Sequence, residues 1–141
     1  MKKLWSFEKV VSRPIESVRA VLFEISEGQF TNNDFPFIIG ERSLRSCIVR
    51  KSSEGFTVYF PDGHKEYVLC DNRNDMLSIK GEWWYRGEYK LERFQEITRI
   101  IHTVYNDAKH AAWLARFIYA QQKSGHEAAF GKFVERLNAA K

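Results

Sequence analysis

The apolar positions of this chain change period three times. Residues 3 to 11 place Leu4, Trp5, Phe7, Val10 and Val11 among charged positions, a β-forming mixture that ends at Ser12-Arg13-Pro14. Proline cannot donate to a strand ladder but suits the first turn of a helix, so a strand is predicted to hand over to a helix there. From Pro14 onward, Ile15, Val18, Leu22 and Ile25 recur three and four positions apart, with Glu16 near the positive end of the helix dipole. This predicts a helix of about three turns ending near Gly28. Residues 29 to 40 mix turn formers with Phe30, Phe35, Phe37, Ile38 and Ile39, the pattern of an irregular segment folded back on something apolar and a candidate lid. Successive β-type segments follow at about 42 to 50, 55 to 60, 64 to 71, 75 to 85, 88 to 94 and 96 to 106, with Pro61-Asp62-Gly63 reading as a tight hairpin. Connections this short join antiparallel neighbours, so the middle of the chain is predicted to be a meander. Asn106-Asp107 then supplies a helix start, and Ala108 to Ala140, free of proline, reads as one long amphipathic helix. Gly125 and Gly131 within it mark either a bend or a close approach to the sheet.

Composition narrows the class without naming a chemistry. The 141 residues suit one domain, spanning residues 1 to 141, with no repeat or linker to divide it. Glu8 and Lys9 interrupt the N-terminal apolar residues before an export signal could form, and the apolar stretch from Ala111 to Ala120 is broken by Arg116, so a cytoplasmic, soluble protein is expected. Cys47 and Cys70 are expected to be free thiols. The formal charge of +4 is spread through mixed-sign segments such as Arg86-Gly87-Glu88-Tyr89-Lys90, with no run of five like charges, so nucleic acid is not an expected partner. The four histidines show no close spacing, and no nucleophile elbow, phosphate loop or dinucleotide fingerprint is present, so neither a metal site nor a cofactor is expected.

One strand, a helix, an aromatic loop, about six antiparallel strands and a terminal helix form an uncommon order. It resembles the START-like helix-grip superfamily, in its birch-pollen-allergen and polyketide cyclase/dehydrase branches, over essentially the whole chain. The carriers are Val10-Val11-Ser12-Arg13-Pro14-Ile15-Glu16-Ser17-Val18, similar to the family's strand-to-helix opening, and Gly87-Glu88-Tyr89-Lys90-Leu91-Glu92 with Thr98-Arg99-Ile100, similar to its penultimate hairpin. The resemblance implies an α+β helix-grip fold: a curved antiparallel sheet of about seven strands wrapped around a long C-terminal helix, with a short helix after the first strand. It further implies a cavity between sheet and helix that members use for sterols, lipids or polyketides. Members include transport proteins, ring-closing enzymes and activators of a heat-shock ATPase, so the fold does not settle the function. The glycine-rich loop of the allergen branch is absent between residues 40 and 60, so that branch's ligand habits are not carried over.

Within that frame, strand alternation nominates a lining. In segment 75 to 85, Leu77, Ile79, Trp83 and Tyr85 share one parity and Trp84 takes the other. The first set is expected to face the cavity, with Tyr89 and Leu91 continuing it, and with Trp113 and Phe117 meeting it from the helix as an aromatic wall. Phe35 and Phe37 of the candidate lid complete the apolar set. Trp84 on the opposite face is a candidate contact patch for another protein. His102 shares its parity with Thr98, Ile100 and Val104, which the resemblance places inside, but Ile97, Ile101 and Tyr105 form an equally apolar alternative. An inward His102 could hydrogen-bond a ligand or act as a general base, and Glu66 is a further polar candidate. Lys109, Arg116, Lys123, Lys132 and Arg136 lie among apolar residues, a composition compatible with an interfacial helix, but their spread around one continuous helix favours a solvated surface. Stable membrane insertion is not expected.

The leading expectation is therefore binding or transport of a small hydrophobic molecule by a monomer or homodimer. The alternatives are a polyketide cyclase/dehydratase-type enzyme using His102 and a cavity tyrosine, and a protein-binding module.

Overall fold

A computed structural model describes residues 1–23, 27–29, 47–53 and 55–139. The strand-to-helix opening forms as the sequence predicts: β1 (Lys2–Val11) ends just before Pro14, and α1 (Ile15–Phe23) begins directly after it. The carbonyl of Pro14 accepts from Ser17 N at 3.0 Å and from Val18 N at 3.3 Å, which closes the first turn. Ile15, Val18 and Leu22, three and four apart, are the buried stripe of α1.

The remaining strands are β2 (Gly28–Gln29), β3 (Ile48–Lys51), β4 (Gly55–Tyr59), β5 (Lys65–Asp71), β6 (Met76–Lys80), β7 (Tyr85–Phe94) and β8 (Ile97–Asn106). They form a single antiparallel sheet in the order β1-β8-β7-β6-β5-β4-β3-β2, that is, seven substantial strands and the two-residue β2 among the described residues. The Pro61-Asp62-Gly63 turn joins β4 to β5 as expected, with Gly63 at φ 89° and its N–H donating to Phe60 O at 3.0 Å.

Two expected elements are each divided. The segment 75 to 85 is not one strand: β6 stops at Lys80, and Gly81 to Trp84 form a turn closed by Gly81 N donating to Tyr85 O at 2.9 Å. The single terminal helix is also two, α2 (Ala112–Tyr119) and α3 (Lys123–Ala139). It starts later than expected because Asn106 turns its side chain onto the following loop, donating to Ala112 O at 3.0 Å and accepting from Ala108 N at 3.1 Å. The interruption falls at residues 120–122, where no apolar side chain is buried between Tyr119 and His126 to hold a continuous helix against the sheet.

Strand register sorts the sheet into rows. One inner row runs Cys70, Leu77, Tyr89, His102, Phe7, and the next runs Val68, Ile79, Gly87, Val104, Trp5. Helix α3 lies on this face through Phe130, Phe133, Val134 and Leu137, while α1 adds its own stripe to the same core. The C-terminus of α3 is tied to the β1–α1 corner: Ser12 N donates to Asn138 Oδ1 at 2.9 Å and Arg13 Nη1 to Leu137 O at 3.1 Å. Thr98 Oγ1, fully buried, donates to Arg13 O at 2.8 Å and fixes that corner to β8. Sheet, corner and helix thus hold one another in place around the inner rows.

Candidate functional site

The inner rows are not purely apolar. His102, 2% exposed, stands on β8 opposite Tyr89 of β7 and Phe7 of β1. Its imidazole stacks on the Tyr89 ring at 4.2 Å and 10°, and Phe130 of α3 approaches it at 5.3 Å. The parity left open by the sequence is resolved in favour of Thr98, Ile100, His102 and Val104, all buried.

The histidine's protonation follows from its contacts. Its Nδ1 lies 3.1 Å from Glu88 O, and a carbonyl only accepts, so Nδ1 carries the proton and Nε2 presents a lone pair. Desolvation by burial lowers the His102 pKa from 6.5 to about 4, against the opposing pull of the Glu88 carbonyl, so the ring is neutral at physiological pH.

Two tyrosines complete the cluster. Burial raises the Tyr89 hydroxyl above its ordinary value, and it raises Tyr85 well above it with added repulsion from Tyr89 and Glu66, so both are protonated donors at any working pH. Tyr85 lies over Gly87: a Cβ at that glycine would sit 2.3 Å from the Tyr85 hydroxyl and 3.1 Å from His102 Cε1. The missing side chain is what allows phenol and imidazole to converge there. On its other side Tyr85 stacks on His126 of α3 at 5.5 Å and 12°. Burial desolvates the Tyr85 phenol, although the residue as a whole is only half-buried. Among the described residues, neither tyrosine hydroxyl is hydrogen-bonded to protein.

A second polar group adjoins this one. Glu66 of β5 is 5% exposed and pairs with His64 Nε2 at 2.8 Å, whose Nδ1 lies 3.5 Å from Glu82 on the Gly81–Trp84 turn. A Cβ added at Gly81 would meet Glu66 Oε2 at 3.4 Å and Tyr85 Cβ at 3.5 Å, which places the carboxylate alongside the tyrosine. One interior thus offers a neutral acceptor, phenolic donors, a carboxylate and several aromatic rings.

Of the nominated lining, Tyr85, Tyr89 and His102 come together here. Phe35 and Phe37 lie outside the described residues. Trp83 is not part of the wall: it sits on the turn, half-buried, with its indole N–H donating to His110 O at 3.1 Å. The expectation that Trp113 and Phe117 point inward is overturned, because they are 65% and 69% exposed. Helix α2 instead turns Ala115 and Tyr119 to the protein, four positions apart. Trp84, read from the sequence as an outward contact patch, is buried, with Tyr119 at 5.1 Å and Tyr85 at 5.7 Å. Residues the nomination missed are Phe130, Phe133 and His126 of α3. Their spacing of four and three is the inward phase of that helix, and it was visible in the sequence.

The comparisons with known proteins agree on architecture. No family model matches the sequence, and no curated protein matches it. Solved structures do. Norcoclaurine synthase from Thalictrum flavum superposes with a TM-score of 0.62 at 12% identity, covering 99% of this chain and 90% of that one. A protein from Nitrosospira multiformis gives 0.62 at 10% identity, covering 97% and 94%. CalU16 from Micromonospora echinospora gives 0.55 at 14% identity, covering 94% of this chain and 64% of its own. The chain shares the α+β helix-grip fold of these structures. No helix among the described residues is long and apolar enough to cross a membrane.

Proposed function

We propose that this chain, acting as one helix-grip domain, binds a small, largely apolar molecule carrying at least one hydroxyl or carbonyl, in the interior between the sheet and α3. The observation that carries this reading is the convergence of Tyr85, Tyr89 and His102 on the inner face: Tyr89 and His102 are buried, Tyr85 is half-buried beside them, and among the described residues neither phenol hydroxyl is hydrogen-bonded to protein. A ligand lying against the rings would give these groups hydrogen-bond partners. Tyr85 and Tyr89 would donate to a ligand oxygen and His102 Nε2 would accept from a ligand hydroxyl, while Phe130 and Phe133 cover the apolar body.

An acid-base enzyme is the second reading, and the juxtaposition of Tyr85 with His102 is what favours it. The electrostatics rank it lower. A histidine with its pKa near 4 is a weak proton acceptor at neutral pH, whereas efficient general bases are poised near the working pH. Norcoclaurine synthase shows that the fold accommodates a synthase, but at 12% identity it lends this chain only the architecture.

The test is native mass spectrometry of gently purified protein, with tryptophan quenching by panels of 2-naphthol, flavonoids, sterols and fatty acids. A bound species or saturable quenching is expected, with affinity reduced about tenfold in His102→Gln through loss of a buried hydrogen bond. No occupant and no quenching by any class would reject the proposal.

A further inference from the structure

Helix α2 exposes what an amphipathic helix normally hides. Trp113, Leu114, Phe117 and Ile118 are 65%, 40%, 69% and 48% exposed, and their spacing gathers them into one stripe. The stripe lies opposite Ala115 and Tyr119, the two residues that hold the helix to Trp84 and Trp5. A stripe of this size on the outer face of a short helix marks a contact surface.

The charge around it identifies the occupant. From Ala108 to His126 the sequence holds Lys109, Arg116, Lys123 and two histidines but no aspartate or glutamate. Arg116 lies over the Phe117 ring at 5.1 Å, on the flank of the stripe. Asp107, at the start of the segment, is enclosed by Lys80 at 3.5 Å, Arg86 at 3.9 Å and Lys109 at 3.4 Å, so its charge is more than neutralised. Register brings further cations to the same end of the sheet, because Lys2 and Lys3, both exposed, pair with Asn106 and Tyr105. The division of the terminal helix also removes the earlier objection. Lys123, Lys132 and Arg136 belong to α3, with Lys123 at its first position just beyond α2, so the spread of charge around a continuous helix does not describe α2.

We infer that α2 is a docking surface for an anionic lipid bilayer. Trp113 and Phe117 would enter the headgroup boundary while Lys109, Arg116 and Lys123 meet lipid phosphates. A second copy of the chain fits less well, because a two-fold contact through this stripe would set one cationic rim against the other. This inference stands on the outer face of α2 and is independent of the interior binding reading.

The experiment is vesicle co-sedimentation of the full chain with 100 nm vesicles, either pure phosphatidylcholine or phosphatidylcholine containing about 30% phosphatidylglycerol. Binding to the anionic vesicles is expected to exceed binding to the neutral ones at least tenfold and to fall in high salt. Each charge removed in Arg116→Gln and Lys123→Gln should weaken it about fivefold. Trp113→Ser with Phe117→Ser should reduce it at least tenfold, and because both side chains are exposed, circular dichroism and thermal unfolding should match the wild type. Absence of vesicle binding, equal binding to neutral vesicles, or unchanged binding in the double variant would overturn the inference. So would a dimer in sedimentation velocity that the double variant abolishes.

Discussion

Protonating His102 should cost this protein a measurable part of its stability. The ring is buried among Tyr89, Phe130 and Phe7, and its pKa is lowered from 6.5 to about 4. In the unfolded chain the ring takes up a proton near 6.5, so between pH 6.5 and 4 the unfolded state holds more protons than the folded one. Stability therefore rises with pH across that window: the contribution is fully present above 6.5 and is lost as pH falls toward 4. At about 1.4 kcal/mol per pKa unit, the shift corresponds to roughly 3 kcal/mol, with most of it lost by pH 4.5. Urea unfolding followed by circular dichroism from pH 7.5 to 4.5 measures the slope. Because carboxylates and the other histidines also titrate here, the informative quantity is the wild type minus His102→Gln. The variant should be less stable at pH 7.5, having lost the Glu88 hydrogen bond and the Tyr89 stack, but should converge on the wild type as pH falls. Parallel profiles across the whole range would show that His102 is hydrated in the folded state and would refute the reasoning.

Tyr85→Phe should leave stability within about 0.5 kcal/mol of wild type, since the hydroxyl bonds to no described protein group, while weakening ligand binding. A large fall in chemical stability would assign that hydroxyl a structural partner. Gly87→Ala should abolish binding by displacing the Tyr85 ring, whose hydroxyl and Cζ would lie 2.3 and 2.9 Å from the new Cβ. Gly55→Ala offers the contrast: its Cβ would lie 1.9 Å from the backbone oxygen of Val68, which cannot yield, so unfolding should shift by about 2 kcal/mol or more. Neither Cys47 nor Cys70 is in a disulfide; the first is buried and the second has its pKa raised by burial. Both should react slowly with an aromatic disulfide reagent in the native protein and rapidly in urea.

Much of the frame could be read from residue order. Pro14 marked the end of β1 and the start of α1, Pro61-Asp62-Gly63 marked a hairpin, and the alternation through Thr98, Ile100, His102 and Val104 reported the buried face of β8 once its competitor was set aside. What was misread depended on tertiary packing. Trp83 and Trp84 follow Gly81 as strong β-formers, so alternation ran straight through a turn whose even length preserved the parity of Tyr85. On the terminal helices, size was taken as a guide to burial, and the largest rings, Trp113 and Phe117, were placed inside. The inward phase is instead carried by Ala115, Tyr119, His126, Phe130, Phe133 and Leu137, spaced at four, seven, four, three and four. Ala115 is small because Trp84 lies beneath it. The spacing of His126 from Phe130 and Phe133 marks its phase on α3, but its stack on Tyr85, like the pairing of Glu66 with His64, is fixed only by what other elements bring to it.

The central claim is that the rings of Tyr85, Tyr89 and His102 admit a guest between the sheet and α3. Proton and nitrogen NMR of the labelled protein, titrated with 2-naphthol, tests it directly. The account predicts saturable shifts and ligand contacts at Tyr85, Tyr89, His102, Phe130 and Phe133. An inner face that stays unperturbed up to the solubility of the probe, or shifts confined to the exposed stripe of α2, would contradict it.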